Sequence, residues 1–587
     1  MAATDRARRV PGDFTTTPRV LLLVALALVV GSLGVFAAWV LLDLIGFFTN
    51  LVYFGKLSVA LRPINLRLLG TASVAVPVAG GLVIGVMARF GSEKIRGHGI
   101  PEAIEAILLG RSRLDPRVAV LKPLSSAISI GTGGPFGAEG PIIMTGGALG
   151  SLLAQALPVS DAERKTLLVA GAAAGMTAVF GTPIAALMLA VELLLFEWTP
   201  QSFIPVAAAA VTADLERGLL PLAAPLFPFH GAAAVTPLGA VAWVGIGLAC
   251  GLLSGLLTRL VYGWEDGFLR LPLHWMWWPA IGGLAVGLGG LADPRVLGVG
   301  YDDIARMLGG QVPPRAALVL LVVKAAVWSI ALGSGTSGGV LAPLLIIGGA
   351  MGSALAPFLP AAGPGFWALL AMAATMGGTM RSPLTATFFA VELTGDTHVL
   401  LPVVTACVSA HLCTVLLMRR SILTEKIARR GHHLTREYRV DPFALTRVAE
   451  VMTRAVETLP GAMTLQQVAA RLADPANRHP SFPVVDGENR VLGIVDPPRV
   501  IGWRRAGLAR GTTLGELLAG ETPEVAHPEE YLEAVADRMM AAGLAHLAVV
   551  DRAGARLVGY LGWRDLLAAR TRAEAASRER AAFYRMG

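Results

Sequence analysis

The sequence predicts an α-helical polytopic membrane protein with broken helices, followed by a soluble α/β unit. Only 15% of the 587 residues are charged and 54% are hydrophobic, whereas about 25% of the residues in a soluble protein are charged. Several runs without Asp, Glu, Lys or Arg also reach the length of about 20 residues that a membrane-spanning helix needs. These runs cover residues 20–42, 68–88, 237–258 and 399–418.

We interpret the first run as a retained span, because it is too long for the apolar core of a secretory signal and many spans follow it. Four arginines precede it: Arg6, Arg8, Arg9 and Arg19. Cytoplasmic segments of membrane proteins collect Lys and Arg. We therefore expect residues 1–17 to form a cytoplasmic tail, both termini to be cytoplasmic, and the chain to lie in the lipid bilayer of an inner or plasma membrane.

The composition also argues against several functions. The net charge of +8 fits the basic loops of a membrane protein, and no basic stripe interleaved with aromatic residues predicts nucleic-acid binding. No H-E-x-x-H pair occurs, and the cysteines lack metal-ligand spacing. We therefore expect no bound metal, no enzymatic activity, and buried positions for Cys250, Cys407 and Cys413.

Glycine- and proline-rich motifs interrupt the apolar runs of the membrane body, residues 18–420. They are Gly97–Glu102 (GHGIPE), Gly133–Pro141 (GGPFGAEGP) and Gly335–Pro343 (GTSGGVLAP). Glycine lets backbone amides approach a ligand closely, and proline is tolerated in the first helical turn. Each motif therefore predicts a helix N-terminus with free amides and a partial positive charge. Several such ends would hold an anion without a full charge, and so would release it.

The second motif contains a carboxylate, Glu139. A carboxylate inside an apolar membrane segment is costly and marks a functional site by default. Because it lies beside amides that suit an anion, its side chain can occupy the anion site itself. Chloride can then displace it, or a proton can neutralise it. We expect Glu139 to gate the anion pathway.

The membrane body contains an internal repeat. Residues 171–183 (GAAAGMTAVFGTP) precede IAALMLAVEL, and residues 376–383 (MGGTMRSP) precede LTATFFAVEL. The twin AVEL ends, at Glu192 and Glu392, support the repeat directly. We expect these carboxylates, and Lys122, another charge in apolar surroundings, to be paired or hydrogen-bonded within the membrane.

A basic linker, 421–446, follows the membrane body, and the pattern then becomes soluble α/β. Two units, 447–508 and 509–570, share the order helix, apolar strand ending in Asp, turn, glycine-containing strand and helix. A short tail, 571–587, follows them. The repeated strand segments are FPVVD (482–486) and VLGIVD (491–496) in the first unit, and LAVVD (547–551) and LVGYLG (557–562) in the second.

The three membrane motifs resemble the GSGIP, GxxGPxGxEGP and GGxFxP signatures of the CLC chloride channel and transporter family, and the soluble tail resembles a tandem CBS pair. The resemblance implies inverted repeats, a homodimer and one chloride pathway per subunit, gated by Glu139. That pathway works either as a channel or as an H+/Cl− exchanger. The anion-binding residues that the resemblance implies are His98, Gly99, Ile100, Gly137, Val340, Leu341 and Leu423.

The sequence departs from the family pattern around the anion site. His98 stands where the family has serine; neutral imidazole donates one hydrogen bond to an anion, and imidazolium attracts it strongly. Ala138 replaces an arginine before the gating glutamate. Leu341 replaces a phenylalanine, and Leu423 occupies the place of a tyrosine. Anion preference and the inner gate are therefore expected to differ from the family pattern.

The proton route departs from the pattern as well. Proton-coupled members have a second glutamate after the position of Glu192, and here that place is Leu193. Glu197, one helical turn further on, is the alternative inner member of a proton path with Glu139. The sequence is therefore compatible with two modes of transport, a channel and an exchanger.

The CBS pair carries one candidate ligand residue. In CBS strands of the form Gxx[S/T]xxD the aspartate takes the ribose hydroxyls of an adenine nucleotide. The second unit keeps Asp565 but has Gly562 at the hydroxyl position, and the first unit has Arg499 at the aspartate position. Asp565 is therefore either a ribose ligand or a helix cap, and we expect no other cofactor.

Two alternative functions stay open beside chloride transport. One is transport of another small anion, such as fluoride or nitrate, with His98 tuning the preference. The other is a CBS-based sensor with a membrane anchor, although the three glycine motifs would then be unexplained.

Overall fold

The computed structural model describes residues 18–66, 69–219, 225–229, 231, 235–431, 446–474, 479–553 and 555–571. The chain divides into two compact units, a helical unit at 1–436 and an α/β unit at 437–587. The predicted tail at 1–17 lies outside the described residues, as do residues 432–445 of the predicted linker and 572–587 of the predicted C-terminal tail.

The first unit consists of helices. In chain order they are α1 (Arg19–Phe54), α2 (Ala75–Phe90), α3 (Ile100–Leu108), α4 (Pro116–Gly131), α5 (Glu139–Gln155), α6 (Asp161–Phe180), α7 (Pro183–Leu189), α8 (Pro200–Arg217), α9 (Pro237–Leu269), α10 (Trp278–Ala292), α11 (Tyr301–Leu308), α12 (Pro314–Gly333), α13 (Leu341–Leu355), α14 (Phe366–Met380), α15 (Pro383–Thr394), α16 (Leu400–Leu417) and α17 (Ile422–Arg429).

The predicted membrane character is confirmed. Six helical segments in the described part of the chain are long and apolar enough to cross a bilayer, and the four apolar runs of the sequence fall in α1, α2, α9 and α16. Many of the other helices are shorter, and α5, α6, α13 and α14 are almost wholly buried. The cysteines are free and buried, as expected.

The internal repeat is visible as a reciprocal exchange of helix caps. The Glu192 carboxylate accepts hydrogen bonds from the backbone amides of Leu384 (3.1 Å) and Thr385 (2.8 Å), at the start of α15. The Glu392 carboxylate accepts from Ile184 (2.9 Å) and Ala185 (2.8 Å), at the start of α7. Each half of the repeat thus satisfies the free first-turn amides of the other half with a carboxylate.

Two buried lysines show the same repeat. Lys122 Nζ, on α4, donates to the carbonyls of Ile95 (2.8 Å) and Gly97 (2.7 Å). Lys324 Nζ, on α12, donates to the carbonyls of Val296 (2.8 Å) and Gly298 (3.5 Å). Each lysine thereby holds the glycine segment that precedes a short helix, α3 in one half and α11 in the other.

The linker prediction needs a more precise boundary. The segment predicted as a solvated basic linker from residue 421 begins with α17, which belongs to the helical unit. Ser421 caps this helix, accepting from the Thr424 amide at 3.3 Å, and Ile422, Leu423 and Ile427 are buried. An apolar face among the basic residues explains why the segment packs onto the membrane unit.

The second unit contains two three-stranded sheets of identical order. One holds β1 (Leu459–Pro460), β2 (Phe482–Val485) and β3 (Val491–Val495), and the other holds β4 (Val525–Ala526), β5 (His546–Val550) and β6 (Leu557–Gly562). In both, the first strand is parallel to the second and the third is antiparallel to it. The predicted strand repeat is thus confirmed.

In the described part of this unit the sheets are accompanied by helices α18 (Val448–Val451), α19 (Leu465–Ala473), α20 (Pro497–Arg505), α21 (Leu514–Leu517) and α22 (Leu532–Ala541). A further helical segment follows β6 at 563–571. Each sheet packs with its neighbouring helices around its own apolar core, centred on Val484 in one and Val549 in the other.

We predict that Glu392→Ala lowers the free energy of unfolding by about 1–3 kcal/mol, because two helix amides lose a charged acceptor in a poorly solvated place. Thermal unfolding of the detergent-purified chain measures this change. Glu192→Ala should cost a similar amount, and Glu533→Ala, at an exposed position on α22, is the matched control. Unchanged unfolding of both repeat variants would contradict the structural role of the exchanged caps.

Candidate functional site

The three glycine motifs of the sequence converge. Gly97 forms a parallel bridge with Ser337, and Gly137 forms an antiparallel bridge with Gly339. In the second bridge the Gly339 amide donates to the Gly137 carbonyl at 2.9 Å, and the Gly137 amide donates to the Gly339 carbonyl at 3.3 Å. The starts of α5 and α13 are thereby brought together, as the sequence predicted.

Glu139 is the first residue of α5 and is completely buried. Its Oε1 accepts a hydrogen bond from the Ala342 amide, in the first turn of α13, at 3.0 Å. Its Oε2 is buried and has no hydrogen-bond partner among the described residues. The carboxylate therefore occupies an anion position at a helix N-terminus, with only one of its oxygens bound.

Glycine is required on both sides of this carboxylate. A Cβ added at Gly137 would lie 1.8 Å from Glu139 Oε2, and one added at Gly339 would lie 2.5 Å from the same oxygen. The two glycines thus create the space that the carboxylate fills. Val340 and Leu341, which begin α13 beside it, are fully buried.

The backbone amides of the first motif, Gly97–Glu102, are bound differently from those at the start of α13. The Gly99 amide donates to Glu102 Oε2 at 3.1 Å, so it is not free for an anion in this structure, contrary to the expectation from the sequence. The Ile100 amide is the first of α3 and has no intrahelical acceptor. Glu102 in turn forms ion pairs with Lys426 at 2.6 Å and with Arg430 at 3.4 Å.

His98 lines a cavity of about 820 Å³. The residue is only 3% exposed, and its Nδ1 is buried without a hydrogen-bond partner in the described part of the chain. An unsatisfied ring nitrogen beside a cavity can bind a ligand or a water. We refer to this space as the His98 cavity.

Positive charge surrounds the His98 cavity. Five Lys or Arg side chains line it, against two acidic ones. Sequence reasoning assigned three of these cations to a linker, and the signal that could have corrected this is the apolar spacing of Ile422, Leu423 and Ile427. The charged lining residues are Lys94, Arg96, Lys426, Arg429, Arg430, Glu93 and Glu265.

Two other predicted residues lie away from these contacts. Leu423 is fully buried near the start of α17 and offers no polar group. The Glu197 carboxylate is paired with Lys165 at 3.0 Å and is 37% exposed. Their assigned roles, an anion ligand and a step in a proton path, stay predictions.

Sequence reasoning missed a fourth glycine segment, Gly298-Val299-Gly300-Tyr301. It stands in the second half of the repeat where Gly97–Ile100 stands in the first, and it leads into α11 as the first motif leads into α3. Gly300 has a positive φ of 77° and Gly99 one of 88°. The sequence signal that could have identified this segment is its separation from Lys324, which corresponds to the separation of Gly97 from Lys122 in the first half. It lines a second cavity of about 350 Å³, the Tyr301 cavity, together with Ala138.

In the soluble unit, Asp565 accepts a hydrogen bond from the Gly562 amide at 2.8 Å. This is the contact of a helix-capping residue, and a ribose contact stays a prediction. A polar cluster lies near it. Ser481 Oγ is 3.0 Å from His546 Nδ1 and 2.7 Å from the Tyr560 hydroxyl, and the His546 and Tyr560 rings stack at 5.4 Å.

Comparison with known proteins agrees with this architecture. The family model for the voltage gated chloride channel matches residues 80–414, and the CBS domain model matches residues 448–503 and 516–572. The voltage-gated ClC-type chloride channel ClcB of Salmonella typhimurium is 30% identical over 60% of this chain and 86% of its own length.

Two solved structures share the fold. A slow cyanobacterial Cl−/H+ antiporter superposes with a TM-score of 0.61 at 22% identity, over 71% of this chain and 99% of its own. A CLC-type fluoride/proton antiporter superposes with a TM-score of 0.58 at 21% identity, over 68% of this chain and 97% of its own.

We predict that the soluble unit loses stability below about pH 6.5, the ordinary pKa of histidine. Burial lowers the pKa of His546, although Asp565 and Asp496 oppose this shift. Because the folded pKa lies below the unfolded one, the stabilisation is complete above pH 6.5 and declines as the pH falls toward the folded pKa.

Thermal unfolding of the full chain at pH 8.0 and pH 5.5 tests this pH dependence. His546→Phe, which keeps a ring on Tyr560, should reduce the difference between the two pH values. An equal difference in both proteins would show that His546 is not the titrating group.

Proposed function

Because this chain belongs to the voltage-gated chloride channel (CLC) family and carries a C-terminal CBS pair, we propose that it moves chloride across a membrane along a pathway gated by Glu139. The family consists of channels and transporters. The observation that carries the proposal is the Glu139 carboxylate held by the Ala342 amide at the buried start of α13.

The gating mechanism follows from that contact. A halide that reaches the start of α13 competes with the carboxylate for the same amide, because both are anions and the amides of a helix start favour either one. When chloride takes the amide, the carboxylate must leave. A proton on Glu139 weakens its own bond to the amide and favours the same exchange.

The His98 cavity supports an approach route to this site. Its lining has an excess of cations, which raises the local concentration of anions. His98 follows Gly97, the motif residue that is bridged to the third motif, so its ring lies next to the meeting point of the broken helices. We propose that neutral His98 offers a hydrogen bond where the family pattern has a serine hydroxyl.

We further propose that chloride movement is weakly coupled to protons. Leu193 is fully buried and cannot relay a proton, and Glu197 is paired with Lys165. A carboxylate that is held by a lysine at the edge of the unit is a poor inner step of a proton path, because it would have to leave that partner. One of the relatives by fold is a chloride/proton antiporter, and a simultaneous record of both ions distinguishes the two modes.

The assembly and orientation are proposed on the family pattern and on charge. We propose a homodimer in an inner or plasma membrane, with both termini in the cytoplasm. The basic residues of α17 support this orientation, since cytoplasmic segments collect such residues.

We predict that Glu139→Ala changes the rate of chloride efflux from proteoliposomes at least about tenfold and removes its pH dependence, because the competitor for the amide is gone. A chloride electrode and a pH electrode in the same vessel record both ions. Glu392→Gln, which alters a partly buried carboxylate with two amide partners, is the matched control. If the Glu139→Ala protein keeps the original rate and pH dependence, the gating assignment is wrong.

We predict that His98→Ser alters anion selectivity, because a hydroxyl replaces an imidazole beside the pathway. Efflux of chloride, nitrate and fluoride from the same vesicles gives the selectivity ratios. Leu423→Tyr, which restores the family hydroxyl at a buried position, is measured in parallel. Identical ratios in the original protein and in His98→Ser would make His98 a bystander.

A further inference from the structure

The structure contains a second buried polar group without a partner close to the gate. The Tyr301 hydroxyl is buried and forms no hydrogen bond with any described residue, and Glu139 Oε2 is in the same situation. Tyr301 lines the same cavity as Ala138, the residue before Glu139. A buried hydroxyl without a hydrogen-bond partner is energetically unfavourable. The presence of a tyrosine at position 301 therefore needs an explanation.

The Tyr301 ring is fixed in place. It makes edge-to-face contacts with Phe180, at 6.4 Å between centroids, and with Phe227, at 5.7 Å. Gly300, just before it, packs so closely on α13 that an added Cβ would lie 2.5 Å from Ile346 Cδ1. The start of α11 is therefore pressed against the helix whose first turn binds Glu139.

A cavity adjoins both Tyr301 and the segment that carries Glu139. Tyr301 and Ala138, the residue that precedes Glu139, both line the Tyr301 cavity of about 350 Å³. A carboxylate that leaves the Ala342 amide has this cavity beside it. Ala138 adds no charge there, and the Tyr301 hydroxyl is a neutral donor on the cavity wall. Charged side chains also line this cavity: Arg62, Arg295, Arg306, Asp302 and Asp303.

We propose that the Tyr301 hydroxyl donates a hydrogen bond to the Glu139 carboxylate when that side chain swings away from the start of α13. This proposal rests on the gating role of Glu139 and deepens it. Tyr301 is a positioning residue for the displaced carboxylate. A neutral donor suits this role, because it stabilises the displaced state without the strong attraction that a fixed cation would exert.

The test combines two variants in proteoliposomes of the full chain. Tyr301→Phe removes only the hydroxyl and keeps the ring contacts with Phe180 and Phe227. In the original protein it should lower chloride efflux about tenfold, the effect of one hydrogen bond to an ionised group. In the Glu139→Ala background the same change should leave efflux unaltered, because the carboxylate that it serves is absent.

Tyr262→Phe provides a matched control. Tyr262 is a buried tyrosine whose hydroxyl donates to the Ile422 carbonyl. Removing this hydroxyl should therefore change chloride efflux by the same factor in the original protein and in the Glu139→Ala protein. Chloride titration calorimetry on the purified proteins is the second measurement. Tyr301→Phe should weaken chloride binding by a similar factor when Glu139 is present, and not when it is alanine.

Each other outcome overturns the proposal. No effect of Tyr301→Phe, or an equal loss in both backgrounds, would show that the hydroxyl does not act through Glu139. Loss of folding or of all flux in the double variant would make Tyr301 a structural residue. If Glu139→Ala alone leaves flux and its pH dependence unchanged, the gating function fails first, and that result is distinct from a failure at Tyr301.

Discussion

The membrane unit depends on the contact of two helix N-termini at the Gly137–Gly339 bridge. Helix starts leave amides without intrahelical partners, and an apolar interior offers no water to satisfy them. Two such starts placed together create a strong preference for an anion. The Glu139 carboxylate meets this preference from within the chain, with one oxygen on the Ala342 amide. The site is therefore occupied by a carboxylate that is tethered to the chain, and the proposed gating requires this carboxylate to exchange with an anion.

Other charged groups of the unit, partly or fully buried, are bound more completely. Glu192 and Glu392 each accept from two backbone amides across the repeat, and Lys122 donates to two carbonyls and to the Ser337 hydroxyl. These charges hold the broken helices in register. Glu139 differs from the other two carboxylates because one of its oxygens has no partner among the described residues. The difference between a structural and a mobile carboxylate is thus a difference in the number of bonds that must break.

Residue patterns predicted the helices, the strand repeat of the tail and the convergence of the three motifs, since apolar length and glycine–proline breaks act locally. They could not predict which acceptor each backbone amide binds, because that depends on contacts between distant segments. Gly99 was expected to present a free amide, but Glu102 takes it. Tyr301 was missed because a tyrosine after a glycine pair carries no distinctive chemistry until the fold brings it beside Glu139. Residues 421–431 were assigned to a linker by charge, although the buried side chains of α17 set its position.

The placement of charge has a consequence for ion passage. A cation at position 138 would attract an anion and also hold the displaced carboxylate, and both effects would slow exchange. Here five cations line the His98 cavity and three arginines line the Tyr301 cavity, and several of them are partly neutralised, as Lys426 and Arg430 are by Glu102. Long-range attraction raises the supply of anions, while the binding position itself is formed by backbone amides. Separating attraction from binding allows an anion to enter readily and still leave.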